Sequence, residues 1–150
     1  WDTQNQEKKT FKRAEENIKI MFGHMNYAPI VPISAKEDTG IKQLLNTVME
    51  LYNQLNRKID TASLNTALRD WVTAYPPPAS RSASFKMRYI TQTSVNPVEF
   101  LIFATRPEVV QQTYLSYIKN KVRTDLGFDK IPVKVELKAS RTKWENRSRT

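Results

Sequence analysis

Three consecutive prolines, Pro76-Pro77-Pro78, interrupt this 150-residue chain near its middle. Proline has no amide hydrogen to give a helix and pushes the preceding residue out of the α region, so a helix arriving from the N-terminal side must stop by Tyr75. One does arrive. Leu64, Ala67, Leu68, Trp71, Val72 and Tyr75 recur at helical spacing, and Thr61 or Ser63 is placed to cap the start. Beyond a polar loop from Ala79 to Ser84 the period changes to two. Phe85, Met87, Tyr89 and Thr91 fall on one face, and Lys86, Arg88, Ile90 and Gln92 on the other, which predicts a half-buried strand. Asn96-Pro97 marks a turn, and Glu99 to Thr105 is apolar on both faces, as a central strand requires. Pro107 fits the first turn of a helix carrying Val110, Tyr114, Ile118, Val122 and Leu126, with Gly127 as a left-handed cap and Phe128 folding back onto it. Ile131, Val133, Val135 and Leu137 then alternate with Pro132, Lys134, Glu136 and Lys138. The order α-β-β-α-β predicts an α+β fold with helices on one face of a three-stranded sheet.

The N-terminal part reads differently. Phe11, Ala14, Ile18, Met21 and Phe22 form a helical stripe stopped by Gly23, giving a helix with one buried face. Pro29-Ile30-Val31-Pro32-Ile33 is a short apolar run suited to a strand, at an edge because of its prolines. After Ser34-Ala35-Lys36 and a turn at Asp38-Thr39-Gly40, a second stripe runs through Ile41, Leu44, Leu45, Val48, Leu51, Tyr52 and Leu55. One strand of this length cannot cover two amphipathic helices, so a sheet is expected upstream of Trp1. The opening Trp1-Asp2-Thr3-Gln4-Asn5 resembles neither a signal peptide nor a normal start, and the chain reads as part of a longer protein.

Charge separates the same two parts. Up to Ala79 there are 10 basic and 9 acidic residues; after it there are 14 and 6, so the parts carry +1 and +8 of the total +9. Segregated positive charge points to a polyanionic partner, with nucleic acid first, against the alternative of a solvated basic face. The absence of cysteine excludes disulfide frameworks and thiolate metal sites, and no apolar run approaches the roughly 18 residues of a membrane span. A cytoplasmic protein away from the membrane is expected. His24, the single histidine, reads as a polar helix-end residue, and Glu15-Glu16 and Glu37-Asp38 are adjacent pairs that point apart on a helix. The residues offer no catalytic mechanism. Tyr114, Tyr117 and Trp71 read as core by their spacing, whereas Trp144 lies in the basic tail.

An Asp at the end of a strand-to-loop step can grip the Watson–Crick edge of guanine, and a Ser-Ala-Lys turn can present a backbone N–H to its O6. Asp2 and Ser34, Ala35 and Lys36 occupy such positions. Trp1-Asp2 resembles the end of the Asn-Lys-Trp-Asp motif in the second GTPase module of the Der (EngA) family of double-GTPase ribosome assembly factors, and residues 28–36 resemble its second guanine motif. The likeness continues through Thr61-Ala62-Ser63-Leu64-Asn65, Tyr75-Pro76-Pro77-Pro78, residues 86–92, Tyr114-Leu115-Ser116-Tyr117-Ile118 and residues 128–133.

This resemblance implies a KH-like α-β-β-α-β domain preceded by the terminal helix-strand-helix of an α/β P-loop GTPase module. The residue patterns themselves set boundaries at 1–56, 57–139 and a basic tail at 140–150 that has no apolar period and is expected to be disordered; the resemblance implies action with the large ribosomal subunit, its rRNA and the upstream GTPase modules, and a monomer is expected. GTP or GDP with Mg²⁺ belongs to the parent; the phosphate loop and switches are missing from these residues, so neither bound nucleotide nor turnover is expected of them alone. Gly23, Gly40 and Gly127 are the only glycines, and no Gly-x-x-Gly loop of the usual KH grip exists. Candidate phosphate contacts are Lys86, Arg88, Lys119, Lys121, Arg123, Lys134 and Lys138, with Arg141, Lys143, Arg147 and Arg149 in the tail. The competing readings are a protein-docking domain and a stand-alone basic RNA-binding protein unrelated to GTPases.

Overall fold

A computed structural model describes residues 8–78 and 84–140. Packing divides them into two units, the residues up to 54 together with 129–131, and residues 55–128 together with those from 132 onward.

The second unit holds the sheet. Strands β1 (Met87–Ser94), β2 (Val98–Ala104) and β3 (Val133–Ala139) lie in the order β1-β2-β3, with β1 antiparallel and β3 parallel to β2. The strand predicted to be apolar on both faces is the central one. Its inner residues Val98, Phe100, Ile102 and Ala104 are at most 1% exposed. Helix α3 (Thr61–Ala74) packs on β1 and α4 (Gln112–Asp125) on β3, so both helices cover the same side. Leu64, Leu68, Trp71, Ile118, Val122 and Phe128 fill the space between the layers.

Local chemistry sets the helix ends. Asp60, not Thr61 or Ser63, caps α3: its backbone is extended, and its carboxylate accepts the Ser63 N–H at 2.9 Å. The cap must stand one residue before the helix, and Ser63 is already inside, where it serves as the donor. These bonds hold the Asp60 carboxyl below its ordinary pKa. At the other end the prolines stop α3 as expected, and tyrosines satisfy its last carbonyls. Tyr117 Oη donates to Trp71 O and Tyr114 Oη to Tyr75 O, both at 3.0 Å. Burial pushes the Tyr114 phenol up to about 12. Helix α4 begins later than its apolar spacing predicts. Pro107–Val109 is a separate 3₁₀ turn, and Val110 and Gln111 are extended, so Val110 does not share the stripe of Tyr114, Ile118 and Val122. Val110 N closes the 3₁₀ turn by donating to Pro107 O at 3.2 Å, and the Gln111 carbonyl accepts from Tyr114 N and Leu115 N to start α4. The far end follows expectation. Gly127 has φ 73°, Phe128 N donates to Arg123 O at 2.9 Å, and the Phe128 ring is fully buried.

The first unit contains α1 (Lys8–Met21), a 3₁₀ turn at Gly23–Met25 and α2 (Ile41–Leu55). Residues 29–33 form no strand; Ser34 and Thr39 make only an isolated antiparallel bridge. Pro29 and Pro32 have no N–H, and no described strand lies in this unit to pair with the run. The two helical stripes exist but are not buried. Ile18, Met21 and Phe22 of the first, and Leu45, Val48 and Tyr52 of the second, are 38–76% exposed.

Candidate functional site

The Ser-Ala-Lys segment is a tightly specified loop. Ser34 is 3% exposed; its N–H and carbonyl both pair with Thr39 at 3.0 Å, and its Oγ accepts the Glu37 N–H at 3.2 Å. Asp38 takes φ 51° and Gly40 φ 78°, and a Cβ at residue 40 would run into the Pro32 carbonyl. Only glycine closes this loop without moving the backbone. Ala35 and Lys36 are exposed at its tip. Asp2 lies outside the described residues. Among those residues no group of three or more His, Asp or Glu side chains converges.

The candidate basic residues fall into three groups. On α4, Lys119 is exposed, Lys121 lies 3.4 Å from Asp125, and Arg123 is half-buried and engaged within the molecule. On β3, Lys134 is held by Glu136 at 2.7 Å and Glu99 at 3.5 Å, and these carboxylates raise its pKa. Lys86, Arg88 and Lys138 form the third group, all exposed on or beside the sheet. Arg141, Lys143, Arg147 and Arg149, and Trp144 with them, lie outside the described residues.

A β-bulge places Arg88 in the third group. Met87 pairs with Ala104 but Tyr89 with Phe103, so Arg88 is an extra residue against β2. The alternation predicted through Phe85, Met87, Tyr89 and Thr91 is therefore broken. Phe85 and Ile90 are both buried, while Lys86, Arg88 and Tyr89 are all exposed. A strict period of two cannot place Arg88 and Tyr89 on the same side; one inserted residue does.

Two polar residues not singled out by sequence fasten β1. Asn65 accepts the Ile90 N–H at 3.0 Å and donates to Ile90 O at 3.1 Å, completing from α3 what a neighbouring strand would supply. Gln92 does the same for the backbone of residues 57–59, accepting from Ile59 N at 2.8 Å and donating to Arg57 O at 2.9 Å. Their signal in the sequence is an amide beside an edge strand, readable only once the edge is known. Tyr114 is 2% exposed, as its spacing predicts, whereas Tyr117 is only half-buried, and with Tyr75 they line a cleft of about 510 Å³.

Comparison with known proteins adds the lineage. The family described as KH-domain-like of EngA bacterial GTPase enzymes, C-terminal, matches residues 58–138. GTPase Der of Treponema pallidum subsp. pallidum is 41% identical over 138 residues, covering 92% of this chain and 30% of that protein. GTPase Der of Desulfitobacterium hafniense is 35% identical over 135 residues, 90% of this chain and 31% of that protein. The chain thus spans about 30% of the length of the relatives it matches. Among the described residues no helix is long and apolar enough to cross a membrane. With the three-stranded sheet, the helix pair on one face and the family match running together over residues 58–138, the chain belongs to the EngA family of bacterial GTPases, in its C-terminal KH-domain-like region.

Proposed function

We propose that this chain is the C-terminal part of a cytoplasmic, ribosome-associated GTPase that acts monomerically in assembly of the large ribosomal subunit. The observation that carries the reading is the family match over residues 58–138, most of which falls in the part after Ala79 that holds +8 of the net charge. In this reading residues 57–139 are an rRNA-facing domain, 140–150 a basic tail, and 1–56 the end of a GTPase module. The exposed stripes of α1 and α2 then cover the sheet of that module, and Ser34, Ala35, Lys36 and Asp2 hold the guanine edge of GTP or GDP. The phosphate- and Mg²⁺-binding groups belong to the rest of the module, so the 150 residues alone turn over no GTP. Lys86, Arg88, Lys119, Lys121, Arg123, Lys134, Lys138 and the tail arginines and lysine are the phosphate contacts.

Salt titration of binding to fragments of large-subunit rRNA tests this. If about four phosphates of single-stranded RNA are neutralised, log K falls with log salt at a slope of about −3. A flat response, together with tight binding to a separately expressed upstream GTPase module, favours protein docking instead; the missing Gly-x-x-Gly loop is the observation on that side.

A further inference from the structure

Two aromatic rings on the outer surface of the sheet take no part in the core. Tyr89 is 44% exposed, and its ring stacks on Phe103 with centroids 4.3 Å apart and planes 16° from parallel. Strand register fixes what lies around them. Phe103 is opposite Tyr89 on β1 and opposite Lys138 on β3, so Tyr89, Phe103 and Lys138 form one row across the sheet. Arg88, the bulged residue of β1, and Lys86 just before the strand, whose carbonyl accepts from Thr105 N and whose N–H donates to Thr105 Oγ1, flank the row. Lys86, Arg88 and Lys138 have no acidic partner among the described residues. The other end of this face is the opposite case, since Lys134 there is balanced by Glu99 and Glu136. Unneutralised positive charge and exposed aromatic surface coincide at one end.

We propose that the row Tyr89, Phe103 and Lys138 is a stacking site for a base of single-stranded RNA, with the adjoining phosphates against Lys86 and Arg88. A near-parallel pair leaves the second face of Tyr89 turned away from Phe103, toward the sheet edge, and a base continues the stack there with its own π-face. A duplex cannot use this surface, because its bases already stack on one another. An apolar protein surface would bury three cations without counter-charges, at a desolvation cost that phosphates remove. The site lies on the sheet face opposite the helices and needs no glycine loop. It rests on the reading of the second unit as RNA-contacting, and it adds that bases as well as phosphates are held.

The test uses the 150-residue chain and three probes, a short oligoadenylate, an abasic strand of the same length, and an RNA duplex. Oligoadenylate is expected to bind roughly ten- to a hundredfold more tightly than the abasic strand. Tyr89→Ala removes that advantage while Tyr89→Phe keeps it, and Arg88→Gln lowers the salt slope by about 0.7 without abolishing it. The abasic comparison needs no variant, so a folding defect in Tyr89→Ala does not spare the proposal. Equal binding of oligoadenylate and abasic strand overturns base stacking and leaves phosphate contact with rRNA standing. No binding to any RNA, rRNA fragments included, overturns both. Loss of GTPase-module docking in Tyr89→Ala with unchanged RNA binding assigns the face to a protein partner and overturns the stacking site.

Discussion

The two units of this chain are built from similar amphipathic helices, yet among the described residues only the second packs them into a core. In the second unit α3 and α4 lay their stripes on a sheet whose central strand is sealed on its inner face, and Leu64, Ile118 and Val122 are fully buried. In the first unit the stripes of α1 and α2 are as regular, but Leu45, Val48 and Tyr52 are 50–60% exposed. Fully burying one such side chain is worth about 1.5–3 kcal/mol, and leaving it in water returns almost none of that. An amphipathic pattern is therefore a promise of burial that only a partner surface redeems. The second unit carries its own sheet; the first has none among the described residues.

The sharpest way to break this comparison is to truncate one residue in each unit. Phe100→Ala in the sheet is expected to cost about 3–5 kcal/mol, and Val48→Ala in α2 no more than about 0.5 kcal/mol, in urea denaturation of the chain. Equal losses would mean that the first unit has a core after all. Smaller effects separate the two left-handed glycines. Gly127→Ala forces a Cβ into φ 73° and against the Arg57 guanidinium, which otherwise donates to Leu126 O at 3.1 Å, and should cost about 1–2 kcal/mol of global stability. Gly40→Ala meets the Pro32 backbone instead. Its effect should be confined to the Ser34–Thr39 loop, seen as faster amide exchange at Ser34 and Thr39 with an unchanged global midpoint.

The smallest effect depends on pH and belongs to the second unit alone. Asp125 accepts from Thr124 Oγ1 and from the Trp71 indole N–H, each at 2.8 Å, and these bonds together with Lys121 hold its carboxyl below the ordinary value. A carboxyl with a lowered folded-state pKa stabilises the fold above its unfolded value near pH 3.8, and that stabilisation is lost as pH falls through the folded value. The group is well exposed, so the contribution is about a few tenths of a kcal/mol. Asp125→Asn should flatten the fall of the denaturation midpoint below about pH 4 relative to the unaltered chain. A parallel fall in both would remove Asp125 from the account.

Some of this is legible in residue order and some is not. The stop before Pro76, the Gly127 cap and the central place of β2 rest on local geometry or on composition within one strand, and the structure has each where its residues predict. The start of α4 is less legible because Val110 fits the four-residue spacing while its backbone is extended. Asp60 escapes notice as a cap because three neighbouring residues can all accept an amide hydrogen and only backbone conformation chooses between them. The largest gap is at the candidate RNA surface. Alternation assigns Tyr89 to the apolar face with Phe85, and a single bulged residue at Arg88 reverses that.

The family likeness, the α-β-β-α-β order and the concentration of positive charge in the second half all follow from the sequence by itself, because they depend on residue identity and near-neighbour spacing. Which stripe is buried, which side Tyr89 faces and which lysines keep their charge free of carboxylates were decided only by tertiary structure. Those depend on register between strands and on the presence of a covering layer, and neither is a property of any local stretch of chain.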